Sequence, residues 1–195
     1  MSERVLDIAL TVNGEPIAER VEARKTLVDF LREDLGLTGS HVGCEHGVCG
    51  ACTVRVNGTI VRACLMLAVQ CDGGRVETIE GLSDSGELAD LQAAFEQRNA
   101  LQCGYCTPGM LTAAQDLLKR AGVPSREDIR AHMSGNYCRC TGYHAIVDAI
   151  ESVAQARSSS SFRGASTASE PGIQKRALDS GSGASRRPGM TGESR

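Results

Sequence analysis

Residues 43–53 read GCEHGVCGACT, and Cys64 follows in the next predicted hairpin. Cys44, Cys49, Cys52 and Cys64 therefore stand at C-x4-C-x2-C…C, the plant-type ferredoxin spacing for a 2Fe–2S cluster. Such a cluster on four thiolates is net negative in both redox states, so it needs main-chain N–H donors aimed at its sulfurs. Gly43, Gly47 and Gly50 let the loop curl tightly enough to supply them. Cys44 and His46 form a C-x-H, as at Rieske centres. No second C-x2-H accompanies it, so His46 is read as a loop residue and not a ligand.

The flanking sequence identifies the scaffold. VLDIALTV (5–12) alternates loosely, Asn13-Gly14 is a hairpin turn, and apolar residues resume at Ile17 and Val21. Thr26 and Asp29 approximate a capping box, using Asp where Glu is usual. Leu27, Phe30, Leu31 and Leu35 follow at helical spacing, and Gly36 can end that helix. After the cysteine loop, TVRV (53–56), Asn57-Gly58 and TIV (59–61) predict a second hairpin, and a short strand is expected near Val76–Ile79. The order β-β-α-loop-β-β-β is that of a β-grasp module, assigned here to residues 1–80.

Past Gly81 the period becomes helical. Glu87–Gln97 carries Leu88, Leu91, Ala94 and Phe95 on one face. Pro108 lies near the start of a second helix, where its missing N–H does no harm, with Met110, Leu111, Ala114, Leu117 and Leu118 as its stripe. Gly122 and Pro124 break the chain. Ser125 and Asp128 resemble another capping box, opening a helix to about His132, and a last helix runs from about Tyr143 to Ala156. This all-α segment, residues 81–157, holds the second quartet. Cys103 and Cys106 fall in a helix–helix connection, and Cys138 and Cys140 precede the final helix. By spacing alone, C-x2-C with C-x-C suits either a second 2Fe–2S cluster or a four-thiolate zinc site. The fold class expected is α+β, with the boundary near Gly81–Gly86.

Composition limits the rest. Residues 158–195 hold 10 Ser and 6 Gly, with six basic and three acidic side chains, and are expected to form a disordered tail. Since the whole chain is −3, residues 1–157 carry −6, which argues against nucleic acid as the main partner. The N-terminus lacks a basic region followed by a long apolar run, and no stretch approaches a membrane span. Nine cysteines are therefore expected as thiolates in a reducing cytoplasm. Cys71 belongs to neither quartet and reads as a small buried hydrophobe. No nucleophile–base arrangement, phosphate loop or flavin motif is evident, and His41, His132 and His144 are isolated in sequence.

The segments CEHGVCGACT (44–53), QCGYCTPG (102–109) and NYCRCTGY (136–143) together resemble the small iron–sulfur subunit of the xanthine oxidase and aerobic carbon monoxide dehydrogenase family of molybdenum hydroxylases. The resemblance covers about residues 5–156, and its second and third segments favour iron over zinc. It implies a β-grasp domain followed by a four-helix domain, each with one 2Fe–2S cluster. It also implies a large molybdopterin-binding subunit and a medium FAD-binding subunit as partners, in a dimer of heterotrimers. The helical-domain cluster would lie next to the molybdopterin, with Gln102 and Cys140 towards that cofactor, and the β-grasp cluster would lie towards FAD. Catalytic residues are expected on a partner subunit and none in this chain. The chain would relay single electrons from molybdopterin to FAD; a free two-cluster carrier and a structural metal protein are the competing classes. The substrate and the external electron acceptor are not legible in this chain.

Overall fold

The computed structural model describes residues 4–164. Strands β1 (Val5–Val12) and β2 (Glu15–Glu22) pair antiparallel in the register Val12↔Glu15. Asn13 closes the turn between them with φ 52°, a conformation Asn tolerates better than most residues. A second hairpin joins β3 (Thr53–Val56) to β4 (Thr59–Arg62) through Asn57, again left-handed at φ 50°. Strand β5 (Arg75–Glu77) lies between β1 and β3, parallel to β1 and antiparallel to β3. The sheet order is β2-β1-β5-β3-β4, the mixed β-grasp arrangement expected from the element order.

The helix expected after β2 is shorter and wider than its apolar spacing predicts. Leu27–Asp29, called α1 here, is α-helical, and Phe30–Asp34 continues as a π turn closed by Leu35 N–H donating to the Phe30 carbonyl at 3.2 Å. The cap works as the sequence implies, since Asp29 N–H donates to Thr26 Oγ1 at 3.2 Å. The wider turn still buries Leu27, Phe30 and Leu31 against the sheet with Ile8, Leu10, Val12 and Val54. Cys52 and Cys71 sit in that same core.

The helical half contains one element the sequence reading missed. Helix α2 (Ile79–Asp84) occupies the stretch read as the boundary, directly after β5, which is the short strand expected near Val76–Ile79. With Gly81 inside and two large apolar residues, the stretch reads as a connection, but Asn13 supplies what the sequence lacks. Its amide accepts from Thr78 N–H at 2.8 Å and donates to Thr78 Oγ1 at 2.9 Å, fixing the start of α2 to the first hairpin. Helices α3 (Ala89–Gln97), α4 (Thr107–Ala121), α5 (Arg126–Met133) and α6 (His144–Gly164) follow as expected. The Ser125–Asp128 capping box is complete in both directions, at 3.1 and 3.0 Å. Helix α6 extends to Gly164, into the stretch that composition assigns to a disordered tail; the rest of that stretch, 165–195, lies outside the described residues. The second core is built from Leu88, Leu91, Phe95, Met110, Ile129 and Ile150.

Strand β3 joins the two halves because it is buried on both faces. Val54 and Val56 point into the β-grasp core, and the alternate residues Thr53 and Arg55, 2% and 5% exposed, face the helices. Arg55 ion-pairs Glu77 at 3.5 Å and Glu87 at 2.6 Å, and Glu87 also takes Lys119 of α4 at 2.8 Å.

Candidate iron–sulfur sites

The first quartet collects where the 43–52 loop crosses the end of β3. Cys44 lies at the open edge. The N–H groups of Cys49 and His46, each 3.4 Å from its sulfur, hold its thiol down to about 6. His46 thus reaches the Cys44 sulfur through its backbone N–H. Cys52 is at the closed edge, 2% exposed, and burial pushes its thiol up to about 11. The Cys64 thiol, brought by the turn after β4, lies against that of Cys52, while those of Cys44 and Cys49 meet each other. The sulfurs therefore stand as two touching pairs.

The second quartet repeats this arrangement on the helical half. Cys103 and Cys140 meet at 3.5 Å between sulfurs, both exposed. Cys106 and Cys138 form the inner pair. Burial, reinforced by the neighbouring Cys138, pushes Cys106 up to about 12. Burial acts the same way on Cys138, but the Thr141 hydroxyl at 3.1 Å and the Thr141 N–H at 3.4 Å outweigh it and leave this thiol below the ordinary value. Tyr143, itself left-handed at φ 68°, accepts from Cys138 N–H at 2.9 Å on its phenolic oxygen and shapes the Cys138–Cys140 turn. Gln102 is exposed beside Cys140, and its amide donates to the Cys140 carbonyl at 3.2 Å.

These residues suit 2Fe–2S clusters. Among the described residues no three His, Cys, Asp or Glu side chains converge as the ligands of one metal ion would. The thiols meet in twos, and each iron of a 2Fe–2S cluster takes two protein ligands. The Thr107 hydroxyl, next to Cys106, is buried without a hydrogen-bond partner among protein atoms, and a cluster held by this quartet could accept its hydrogen bond. Binding at Cys52 and Cys106 would release protons, because their thiols resist ionising otherwise.

Two family models match the chain, a 2Fe-2S iron-sulfur cluster binding domain over residues 10–106 and a 2Fe-2S binding domain over residues 78–151. The second match spans the helical quartet and favours iron there over zinc. The gamma subunit of caffeine dehydrogenase from Pseudomonas sp. (strain CBB1) is 52% identical over 75% of this chain and 89% of its own. The small subunit of nicotine 6-hydroxylase from Paenarthrobacter nicotinovorans is also 52% identical, over 76% and 89%. This chain belongs to the small iron–sulfur subunits of the molybdenum hydroxylases. Among solved structures, a chain of quinoline 2-oxidoreductase from Pseudomonas putida 86 superposes on this small subunit with a TM-score of 0.75 and 50% identity, covering 80% of this chain and 97% of that one. Aldehyde oxidoreductase from Desulfovibrio gigas gives a TM-score of 0.73 at 42% identity, but the small subunit covers only 17% of that longer chain.

Several residues that organise the two sites carry no motif of their own. Arg62 ends β4 two residues before Cys64, and its guanidinium donates to the Gly135 carbonyl at 2.6 Å, to Asn136 Oδ1 at 3.3 Å and to Thr53 Oγ1. Asn136, 2% exposed, donates to the Gly50 carbonyl at 3.0 Å. Asn136 stands inside the NYCRCTGY segment, so proximity to Cys138 was the available signal; nothing in the sequence singles out Arg62. The histidines are structural in two cases. His41 stacks on Tyr105 with ring centroids 4.5 Å apart, and His132 meets the Ala113 carbonyl at 3.0 Å. Cys71 is buried against Met66, in the same core as Cys52. A seam cavity lined by Arg55, Arg75, Glu77, Glu87 and Lys119 includes none of the quartet cysteines.

Proposed function

We propose that this small subunit relays single electrons from a molybdopterin on a large partner subunit to FAD on a medium one. The carriers are two 2Fe–2S clusters, one on Cys44, Cys49, Cys52 and Cys64, the other on Cys103, Cys106, Cys138 and Cys140. The observation that carries this reading is the repeated arrangement of paired thiols, with protein donors at one sulfur of each quartet. A bound 2Fe–2S cluster supplies one-electron chemistry, which splits a two-electron oxidation into single steps.

The residues of this chain set the surroundings of that chemistry. N–H donors at Cys44 and the Thr141 hydroxyl at Cys138 stabilise negative charge on sulfur and raise the ease of reduction locally. Cys140 and Gln102, exposed and tied to each other, form the edge proposed to meet the pterin. Leu65, 63% exposed beside Cys64, and Val48, exposed beside Cys49, leave an apolar rim at the first quartet that suits cover by another subunit. Substrate chemistry belongs to the large subunit, and no residue of this chain is assigned a catalytic role. Relatives named for caffeine, nicotine and nicotinate stand at 48–52% identity, those named for aldehydes at 44–45% and one named for xanthine at 43%, so identity in this subunit does not sort the relatives by substrate class. The proposed assembly is a dimer of heterotrimers in the cytoplasm. No described helix is long and apolar enough to cross a membrane.

The test is electron paramagnetic resonance on the dithionite-reduced protein, with iron and zinc quantified on the same sample. Two distinct 2Fe–2S signals with equal iron in each are expected. One signal, with zinc in place of the missing iron, would remove the relay. Recovery of the chain without large and medium subunits from its native host would favour a free carrier instead.

A further inference from the structure

The two cysteine loops meet through bare backbone. A Cβ placed on Gly109, in the first turn of α4, would lie 2.2 Å from the Gly50 carbonyl oxygen. A Cβ on Gly50 would lie 2.7 Å from the Gly135 carbonyl oxygen and from the Asn136 amide. The obstructing carbonyls belong to the backbone, which cannot swing aside as a flexible side chain would. Three segments therefore touch with only the Asn136 amide among them, and each is close in sequence to quartet cysteines. Gly50 lies between Cys49 and Cys52, Gly109 follows Cys106, and Gly135–Asn136 precede Cys138.

Hydrogen bonds lock this contact. Tyr137 N–H donates to the Cys49 carbonyl at 2.7 Å. Asn136 Nδ2 donates to the Gly50 carbonyl at 3.0 Å and to Thr53 Oγ1 at 3.4 Å. Arg62 grips Gly135, Asn136 and Thr53 from the β4 side. Domain packing alone does not require such closeness, since the Arg55–Glu87–Lys119 ion pairs already join the same two halves farther along β3 and α4.

We propose that the Gly50–Gly109–Asn136 contact, clamped by Arg62, fixes the separation and electronic coupling of the two thiolate quartets. Arg62 and Asn136 are then positioning residues for one-electron exchange, in which one reduced cluster is oxidised as the other is reduced, with no bond or proton changing hands. The inference rests on the two-cluster reading above. The peptide of Cys49 reaches the residue before Cys138 through a single hydrogen bond, and Asn136, beside that bond, is buried. Opening this contact would lengthen the path and admit water.

The test uses the full chain with both clusters, reduced completely with dithionite. Two paramagnetic clusters held at this contact split each other's resonance signals. Gly109→Ala wedges the loops apart, Asn136→Ala removes the bonds to Gly50 and Thr53, and Arg62→Met removes the clamp while keeping the stem. The splitting is expected to shrink severalfold in each, with iron content and the centre of each signal unchanged. Glu87→Gln weakens the same domain seam away from the loops and should leave the splitting intact. Unchanged splitting in the Gly109, Asn136 and Arg62 variants that retain both clusters would overturn the inference, as would two unsplit signals in the wild type. Loss of iron from all three variants with Glu87→Gln intact would also overturn it, making the contact a requirement for assembly. A single signal in the wild type would instead sink the two-cluster reading.

Discussion

The main-chain N–H of Tyr137 donates to the carbonyl of Cys49 at 2.7 Å, so a residue flanking one cysteine quartet is hydrogen-bonded to a member of the other. The two halves of this chain are therefore joined at their cysteine loops as well as by their packed faces. A substitution near one quartet can be read against the other, which separates local from shared effects.

Cys106→Ser should abolish the helical-domain signal and lower iron by about half, while the β-grasp signal persists. Cys106 is paired with Cys138, and the other thiol acting on it is Cys103 of the same quartet. Electron paramagnetic resonance with iron analysis checks this, and loss of the plant-type signal with the other intact would reverse the assignment of quartets.

Cys71→Ser should leave both signals and the iron content unchanged while destabilising the fold. The Cys71 thiol is buried in the β-grasp core, and burial raises its pKa. Placing a hydroxyl there costs about 1–3 kcal/mol unless it finds a partner. Denaturant unfolding measures the loss, and a drop in iron would show that Cys71 takes part in a cluster after all.

Glu87→Gln should destabilise the seam by about 2 kcal/mol at neutral pH, because Arg55 would keep only Glu77 as an anionic partner. Burial would push the Glu87 carboxyl up, but hydrogen bonds from Arg55 and Lys119 overcome it and hold the group at about 2, against an ordinary 4.5. A carboxyl whose pKa is depressed on folding adds stability above its unfolded value and loses it as pH falls through the folded one. The difference between wild type and Glu87→Gln should therefore be full above about pH 5 and fade towards pH 2. Urea midpoints of the two proteins across that range give the result, and a pH-independent difference would mean that Glu87 is not held ionised.

Gly50→Ala should be more damaging than a loop substitution ordinarily is. Its φ of 75° strains any side chain, and its Cβ would meet the Gly135 carbonyl at 2.7 Å. The two effects together should cost about 2–4 kcal/mol. Thermal unfolding of the iron-loaded chain reads this, and a stability equal to wild type would show that the loops are not in contact at this point.

Much of the architecture was written in local sequence. The Asn13-Gly14 and Asn57-Gly58 turns fix two hairpins because their residues accept left-handed dihedrals, and Ser125 with Asp128 starts α5 through bonds made within one turn. The cysteine spacings marked both quartets because a cluster imposes its ligand geometry on the chain. Where distant groups intervened, local reading failed. Apolar spacing could not show that Phe30–Asp34 winds as a π turn, nor that Asn13, 65 positions away in sequence, anchors the start of α2.

By itself, then, the sequence determined the β-grasp and helical modules, the two cysteine quartets and the family, since all of these rest on residue types at fixed short separations. Tertiary structure alone decided how the quartets stand to each other. TVRV reads as a strand with one polar face, and only the packed fold shows that face covered, with Thr53 and Arg55 turned to the helices. Gly109, Asn136 and Arg62 are ordinary residues in sequence, and their bonds run to partners as many as 86 positions away. No local pattern encodes a contact made between the backbones of two modules, because nothing but the folded packing brings those backbones together.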